Sequence, residues 1–304
     1  MLDVLAVGEA MAVLCPDPPG PVRHAASLAL SVAGAEANVV TYLAGLGLRT
    51  AFAGRIGDDP FGALISDRLS AAGVRPLFEV DPDRPTGIYV KDPDGAHTRV
   101  HYYRAGSAAS AMDAGLWSRM PPARLVHLSG ITPALSATCA ELVAAALHGG
   151  GPGGTGMVSF DVNHRPKLWS AVDAAAPLRD LAARADLVFV GLDEAETLWG
   201  CRTAEDVRDI IGDGGDLVVK DGAVGATAFT AAGTAFVPAV PVQVVEPVGA
   251  GDAFAAGYVY GQLTGADVAH RLVLGHHLAG RALSTAVDVG APIGVADLPL
   301  AARS

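Results

Sequence analysis

The segment Glu246-Pro-Val-Gly249-Ala250-Gly251-Asp252-Ala-Phe-Ala-Ala-Gly257 decides how the rest of this chain is read. Pro247 and the closely spaced glycines disfavour regular structure, while the following AFAAGYVYGQL is a good apolar helix. Gly249–Gly251 is therefore expected to form a tight turn opening onto a helix N-terminus. Small residues let the backbone approach an anion closely, and the first N–H groups of a helix lack intrahelical acceptors and point at it. Such a turn would stabilise the spread negative charge of a phosphoryl group in flight. Asp252, in the first helical turn, has two readings. It is a helix N-cap, for which Asp is favoured, or a general base that takes a proton from an attacking hydroxyl.

Outward from this turn, short apolar runs alternate with amphipathic stretches. Strands are expected at Leu2–Val7, Thr50–Ala53, Arg124–Leu128, Met157–Phe160, Leu187–Val190 and Leu217–Val219, with helices at Ala35–Leu46, Pro60–Ala72, Ser136–Leu147 and Pro177–Arg184. Strands alternating with helices indicate βαβ units, hence an α/β fold with a mostly parallel central sheet. Two regions, 11–32 and 86–104, break the rhythm. Ile88-Tyr-Val-Lys, Asp92-Pro-Asp-Gly and His97-Thr-Arg-Val read as strand, turn and strand of a hairpin. These two regions are expected to form a small β-sheet lid over the carboxyl edge of the main sheet, where open α/β folds bind ligands. The run GGGPGGTG at 149–156 is a flexible connector, and residues 1–304 are expected to form one domain.

Bulk properties narrow the function. Hydrophobic residues make up 51% and charged residues 17% of the 304, enough to bury a large core. The net charge is −11, the lysines are Lys91, Lys167 and Lys220, and no basic block is visible, so a nucleic-acid partner is not expected. A phosphate ligand would have to be held locally, by backbone N–H groups, a few cations or a metal. The scattered Cys15, Cys139 and Cys201 form neither a disulfide framework nor a zinc site and are expected to be reduced thiols. No apolar run suggests a membrane span, and the N-terminus reads as a first strand rather than a signal peptide, which points to the cytoplasm.

Gly249-Ala-Gly-Asp-Ala-Phe-Ala-Ala-Gly257 resembles the C-terminal signature of the ribokinase family, also called the phosphofructokinase-B family of carbohydrate kinases. Three further segments agree, in the expected order. Ala33-Gly-Ala-Glu-Ala-Asn38 resembles the sugar-binding signature, and Gly54-Arg-Ile-Gly57-Asp-Asp-Pro-Phe-Gly62 the glycine-rich segment after the second core strand. Lys220-Asp-Gly222-Ala-Val-Gly225 resembles the nucleotide-side loop. The likeness runs from about residue 3 to residue 295. It implies a ribokinase-like sheet flanked by helices on both faces, ATP along the C-terminal half with Mg²⁺, and a sugar between sheet and lid. It also implies that Asp252 is the base and that Gly249, Ala250 and Gly251 supply the anion hole. No Gly-x4-Gly-Lys-Ser/Thr P-loop occurs in the sequence.

For the sugar side the resemblance points to Gly34 and Asn38; Asn38 offers two donors and an acceptor, although a helix-start Asn also bonds its own backbone. Tyr102-Tyr103-Arg104 ends the lid hairpin and Tyr89 lies on its other strand, so Tyr89 and Tyr103 are expected against the sugar or over the sheet edge. Asp161-Val-Asn163-His-Arg165-Pro-Lys-Leu-Trp169 follows a core strand and places Asn163 and Arg165 at the carboxyl edge. Arg104 and Arg165 converging on one site suggest a carboxylate; the other reading of Arg165 is an ion pair with Asp161 or a phosphate contact. This combination resembles the 2-keto-3-deoxygluconate kinases within the family, and by the same likeness Asp288 lies near the sugar. Fructokinases share much of the pattern, a nucleoside kinase is a further alternative, and a catalytically silent sugar sensor is the rival from another class.

The nucleotide side is expected to use Asn163, Lys220, Gly222, Gly225, Gly249, Gly251 and His277 by the same likeness. His276-His277 stands where the family often has Asn; neighbouring helical residues do not face one another, which argues against a metal pair. Gly191-Leu-Asp-Glu194 departs from the family's Asn-x-x-Glu. Glu194 could still organise Mg²⁺ through water, or it is a first-turn acid facing the helix dipole. Glu246 replaces the usual Asp near the family's monovalent-cation site, which leaves that cation open. An exposed lid edge is a pairing surface, so a homodimer through the lids is plausible.

Overall fold

The computed structural model describes residues 1–94, 97–149, 156–245, 248–285 and 293–299. Glu246, Pro247 and Asp288, together with most of the glycine connector, lie outside the described residues.

Alternation of apolar residues along the first strand, β1 (Leu2–Val7), sets the layering. Val4 and Ala6 enter one core, while Leu5 and Val7 enter another on the opposite face. The same happens along the neighbouring strand Ala123–Ser129, where Leu125 and Val126 part to opposite sides. Strands buried on both faces are what a parallel sheet covered by helices requires.

The thirteen strands divide into two sheets. They are β1, β2 (Met11–Pro16), β3 (Leu28–Ala33), β4 (Thr50–Gly57), β5 (Arg75–Asp81), β6 (Ile88–Asp94), β7 (His97–Tyr103), β8 (Ala123–Ser129), β9 (Met157–Asp161), β10 (Leu187–Gly191), β11 (Asp216–Asp221), β12 (Gly225–Thr230) and β13 (Gly233–Pro238) among the described residues. The main sheet has the order β13-β12-β11-β10-β9-β8-β1-β4-β5. It is parallel from β11 to β5, with β12 and β13 antiparallel at one edge. Strand order reverses at β1: the chain builds β4 and β5 on one side and then returns to β8 on the other. Ligands of open α/β sheets bind outside the carboxyl ends of the strands at such a switch point.

Helices α1 (Ala35–Gly45), α2 (Pro60–Ala71), α8 (Ala250–Thr264) and α9 (Val268–Leu283) cover one face. The others, α3 (Ala114–Ser118), α4 (Ala137–His148), α5 (Ala171–Ala182), α6 (Leu192–Trp199) and α7 (Ala204–Ile211), cover the opposite face. Most begin at a side-chain cap. The Ser136 hydroxyl accepts from Cys139 N–H, and Asp59 accepts from Phe61 and Gly62 N–H at 3.0 and 2.8 Å. Helix α5 differs from expectation. It starts at Ala171 rather than Pro177, because Ser170 caps it from Asp173 N–H and leaves Pro177 inside the helix.

The smaller sheet has the order β3-β2-β6-β7, built from the two regions that interrupt the βα rhythm. Met11, Val13, Ala33 and Tyr89 form its own apolar cluster. The strands run further than the turn expected at Asp92–Gly95 allows: Asp92, Pro93 and Asp94 stay in register with Arg99, Thr98 and His97. Beyond Val90 the strand has left its partner β2, so the missing N–H of Pro93 is tolerated there. Asp59 ties this sheet to the main one by accepting a hydrogen bond from Thr86 N–H at 2.8 Å. Leu28 and Leu30 of the edge strand β3 are exposed.

Candidate active site

Helix α8 opens at Gly249, whose φ of 81° is the left-handed conformation that glycine adopts without a Cβ penalty. Gly249 is the N-cap, so Asp252 is not: it is the third residue of the helix and is buried. A buried first-turn carboxylate that does not cap is free for another task. The N–H groups of Ala250, Gly251 and Asp252 have no acceptor within the helix by its geometry. The position a Cβ would take on Gly251 lies 3.5 Å from Lys220 Nζ, so the turn and the lysine share one small space.

Asp252 Oδ2 accepts a hydrogen bond of 2.8 Å from Asn38 Nδ2, from a residue 214 positions away. Burial pushes the Asp252 carboxyl up to about 7; Asn38, Arg165 and Lys220 pull the other way, and Asp161 adds to the rise. Asn38 sits in the first turn of α1, whose N-cap is Gly34. A Cβ at Gly34 would lie 2.4 Å from the Glu9 carbonyl oxygen, so the start of α1 sits hard against the end of β1 only because that residue is glycine. Glu36, on the same turn, is buried and accepts from Ser129 Oγ at 2.7 Å and Thr132 Oγ1 at 2.9 Å, tying α1 to the carboxyl end of β8.

A cavity lies between the two sheets. Asp252, Gly249, Gly34 and Asn38 line it from the main body, and Tyr89, Lys91, Tyr102 and Arg104 from the small sheet, with Arg165 at the side. Arg104 and Arg165 also border a larger adjoining space of about 900 Å³, together with Arg99, His101 and Lys167. Both arginines thus reach one cleft. Arg104 is nevertheless committed on one side: it is buried and ion-paired with Glu9, which also accepts from Ser107 Oγ at 2.8 Å. Arg165 stands 4.0 Å from Glu194 rather than pairing with Asp161.

Tyrosine placement corrects the sequence reading. Tyr102, opposite Tyr89 in the register with ring centroids 5.5 Å apart, faces the cavity; Tyr103 is 63% exposed and borders neither cavity. Successive residues of a strand point to opposite faces, and one position separates the two choices.

Around the strand ends, Lys220 Nζ donates to Asp161 Oδ2 at 2.9 Å. Asp161 Oδ1 and Asn163 Oδ1 are buried without a hydrogen-bond partner among the described residues. Asn163 holds a φ of 41°, rare for a residue with a Cβ. Glu194 Oε2 accepts from Gly191 N–H at 3.0 Å, as a capping-box acid does. Burial and Asp161 push the Glu194 carboxyl up, against the pull of Lys220 and Arg165. Among the described residues no three His, Cys, Asp or Glu side chains stand together as a metal cage. Gly222 has a φ of 46° in the turn after β11. Gly225 serves packing, since a Cβ there would meet the Val237 carbonyl oxygen at 2.5 Å.

A separate cavity of about 540 Å³ is lined by Val240 and Val242, beyond β13, and by His276, His277 and Gly280 of α9. His276 is engaged with the Val237 carbonyl and the Phe254 ring, whereas His277 Nε2 is buried without a partner among the described residues. Glu9, Lys91 and Asp161 are site neighbours without a role of their own in the sequence reading, and Tyr102 entered it only as part of the lid hairpin. Glu9 had one visible signal: an acid directly after the first apolar strand.

The chain is similar over most of its length to proteins of known name. The chain is 37% identical over 277 residues to the 2-dehydro-3-deoxygluconokinase of Thermoproteus tenax, covering 88% of this chain and 84% of the relative. It is 34% identical over 273 residues to the 2-dehydro-3-deoxygluconokinase of Bacillus subtilis, covering 87% and 84%. The crystal structure of the PfkB protein from Polaromonas sp. JS666 superposes with a TM-score of 0.81 at 35% identity, covering 93% of this chain and 96% of that one. With residues 1–287 matching the profile of the pfkB family carbohydrate kinases, this chain is a member of that family and a phosphotransferase.

Proposed function

We propose that the protein transfers the terminal phosphoryl group of ATP to a hydroxyl of 2-keto-3-deoxygluconate, the same sugar acid as 2-dehydro-3-deoxygluconate. The observation that carries this reading is the meeting of Asp252, the N-terminus of α8, Arg104 and Arg165 on one cavity between the sheets. Asp252 takes the proton of the attacking hydroxyl; a carboxyl whose proton affinity sits near 7 is well matched to that work at neutral pH. The amides of Gly249, Ala250 and Gly251 and the Lys220 ammonium meet the phosphoryl charge, in a buried place where such interactions are strong. Arg165, and the part of Arg104 not engaged by Glu9, hold the sugar carboxylate. The small sheet acts as the lid, and its closure keeps water from competing for the phosphoryl group.

ATP fits the space available. The apolar cavity beside α9 suits a base, and the unpartnered His277 Nε2 offers it a polar contact. Lys220 Nζ stands beside the turn before α8, 3.5 Å from the position a Cβ would take on Gly251, and Gly222 belongs to the turn after the strand that carries Lys220. Mg²⁺ would be held mainly by phosphate oxygens and water, and Glu194 and Asp161 are the acids that would organise its water. When bound it neutralises charge on the phosphate oxygens.

A panel of sugars and sugar acids, assayed by ADP release with ATP and magnesium, tests the reading. A kcat/KM for 2-keto-3-deoxygluconate at least about 100-fold above that for fructose is expected, because a neutral sugar brings no carboxylate for the Arg104 and Arg165 guanidinium groups at the cavity. Equal use of fructose would make this a neutral-sugar kinase, adenosine as acceptor a nucleoside kinase, and no ADP release with any acceptor a sensor.

A further inference from the structure

Asn38 belongs by position to the sugar-binding turn, yet its amide is already engaged. Nδ2 donates to Asp252 Oδ2 at 2.8 Å, and both residues are buried. Among the described residues no hydrogen bond is made to Asp252 Oδ1, and Asp252 lines the cavity between the sheets. The two oxygens of the carboxyl are therefore unlike: Oδ2 is held by Asn38, and Oδ1 makes no hydrogen bond among the described residues. Asn38 is itself fixed from behind. Its backbone N–H donates to the Gly34 carbonyl at 2.7 Å, and Glu36 pins the same turn to Ser129 and Thr132.

We propose that Asn38 is a positioning residue for the base: it holds Asp252 Oδ2 so that Oδ1 receives the hydroxyl proton, and it keeps the carboxyl ionised enough to do so. The proposal rests on the kinase reading above for its consequence in turnover, but not for its effect on Asp252 itself. An N–H donor on a carboxylate favours the charged form. The other charged groups near Asp252 do not substitute for it. Lys220, from β11, is shared with Asp161 at the end of β9 and has Glu194 near it. Arg165, from the loop after β9, leans on Glu194 and the His164 carbonyl. Arg104, from the small sheet, is paired with Glu9, and Lys91 shares the cavity from the same sheet. Asn38 is thus the neutral donor in direct contact with the base.

The test is the titration of Asp252 in ligand-free protein, followed by NMR of ¹³C-carboxyl-labelled aspartate, with Asp252→Asn identifying the resonance. Asn38→Leu removes the donor, and Asn38→Asp, nearly the same shape, replaces it with a second carboxyl that must share a proton with Asp252. Both variants are expected to raise the Asp252 midpoint by about one pH unit or more. The acid limb of kcat/KM should move with it, so that at pH 6 the variants lose about tenfold more activity, relative to wild type, than they lose at pH 9. An Asp252 midpoint unchanged in both variants, with KM raised equally at all pH values, would make Asn38 a sugar ligand only and overturn the proposal. Should the midpoint shift while wild type phosphorylates no sugar, the positioning role stands and the kinase reading fails.

Discussion

Glu9 and Asp252 are both buried at the carboxyl edge of the main sheet, and they differ in what faces them. Glu9, just beyond β1, meets the Arg104 guanidinium and the Ser107 hydroxyl; burial pushes its carboxyl up, and these two partners pull it back. Asp252, in the first turn of α8, meets the neutral Asn38 amide and an open cavity. A carboxylate facing a guanidinium is neutralised in place and serves as a strut. One facing an amide and a cavity keeps a proton affinity close to that of the solution and can exchange a proton during reaction. The partner, more than the burial, separates a structural acid from a base.

The largest expected break in that comparison is Asp252→Asn. Turnover should fall by about 10²–10⁴-fold while the sugar acid still binds, measured by kcat beside calorimetric titration. The same variant should be more stable than wild type. The sign follows from linkage: the folded carboxyl titrates near 7, above its ordinary 3.8, so the wild type is relieved of the buried charge at low pH and loses stability as pH rises through about 7. The neutral side chain removes that loss. A gain of roughly 2–4 kcal/mol is expected at pH 8, shrinking towards pH 4, as urea unfolding at the two pH values would show.

Glu9 should behave in the opposite sense. Arg104→Ala strands a buried charge and is expected to cost about 3–5 kcal/mol, whereas replacing Glu9 and Arg104 together by Met should recover most of that. KM for the sugar acid should stay raised in both, because recovered packing does not restore the guanidinium. Restoration of normal KM in the double variant would mean that Arg104 is a strut and nothing more.

In the wild type, kcat/KM should climb with pH and level off above about 7, since the free enzyme needs Asp252 ionised. A flat profile between pH 5 and 9 would remove Asp252 from the role of base. The smallest effect separates the neighbouring tyrosines. Tyr102→Ala, which strips a cavity wall, should raise the sugar KM several-fold, and Tyr103→Ala should leave KM and stability nearly unchanged, within about 0.5 kcal/mol for a surface position.

The sequence alone determined what depends on neighbours in the chain. The apolar runs of β1 and β8, the helices after Asp59 and Ser136, and the glycine turn before α8 are local matters of periodicity and backbone freedom, and they were legible with their bounds nearly right. So was the family, because its four motifs stand in order. Only the tertiary structure decided what depends on partners far away: Asn38 on Asp252, Lys220 on Asp161, Arg104 on Glu9, and Tyr102 rather than Tyr103 facing inward. These pairs join segments from 59 to 214 residues apart, or turn on a single step of strand register. Proton affinity and charge at a buried group are set by whichever side chain the fold brings within about 3 Å, and no local pattern encodes that distance.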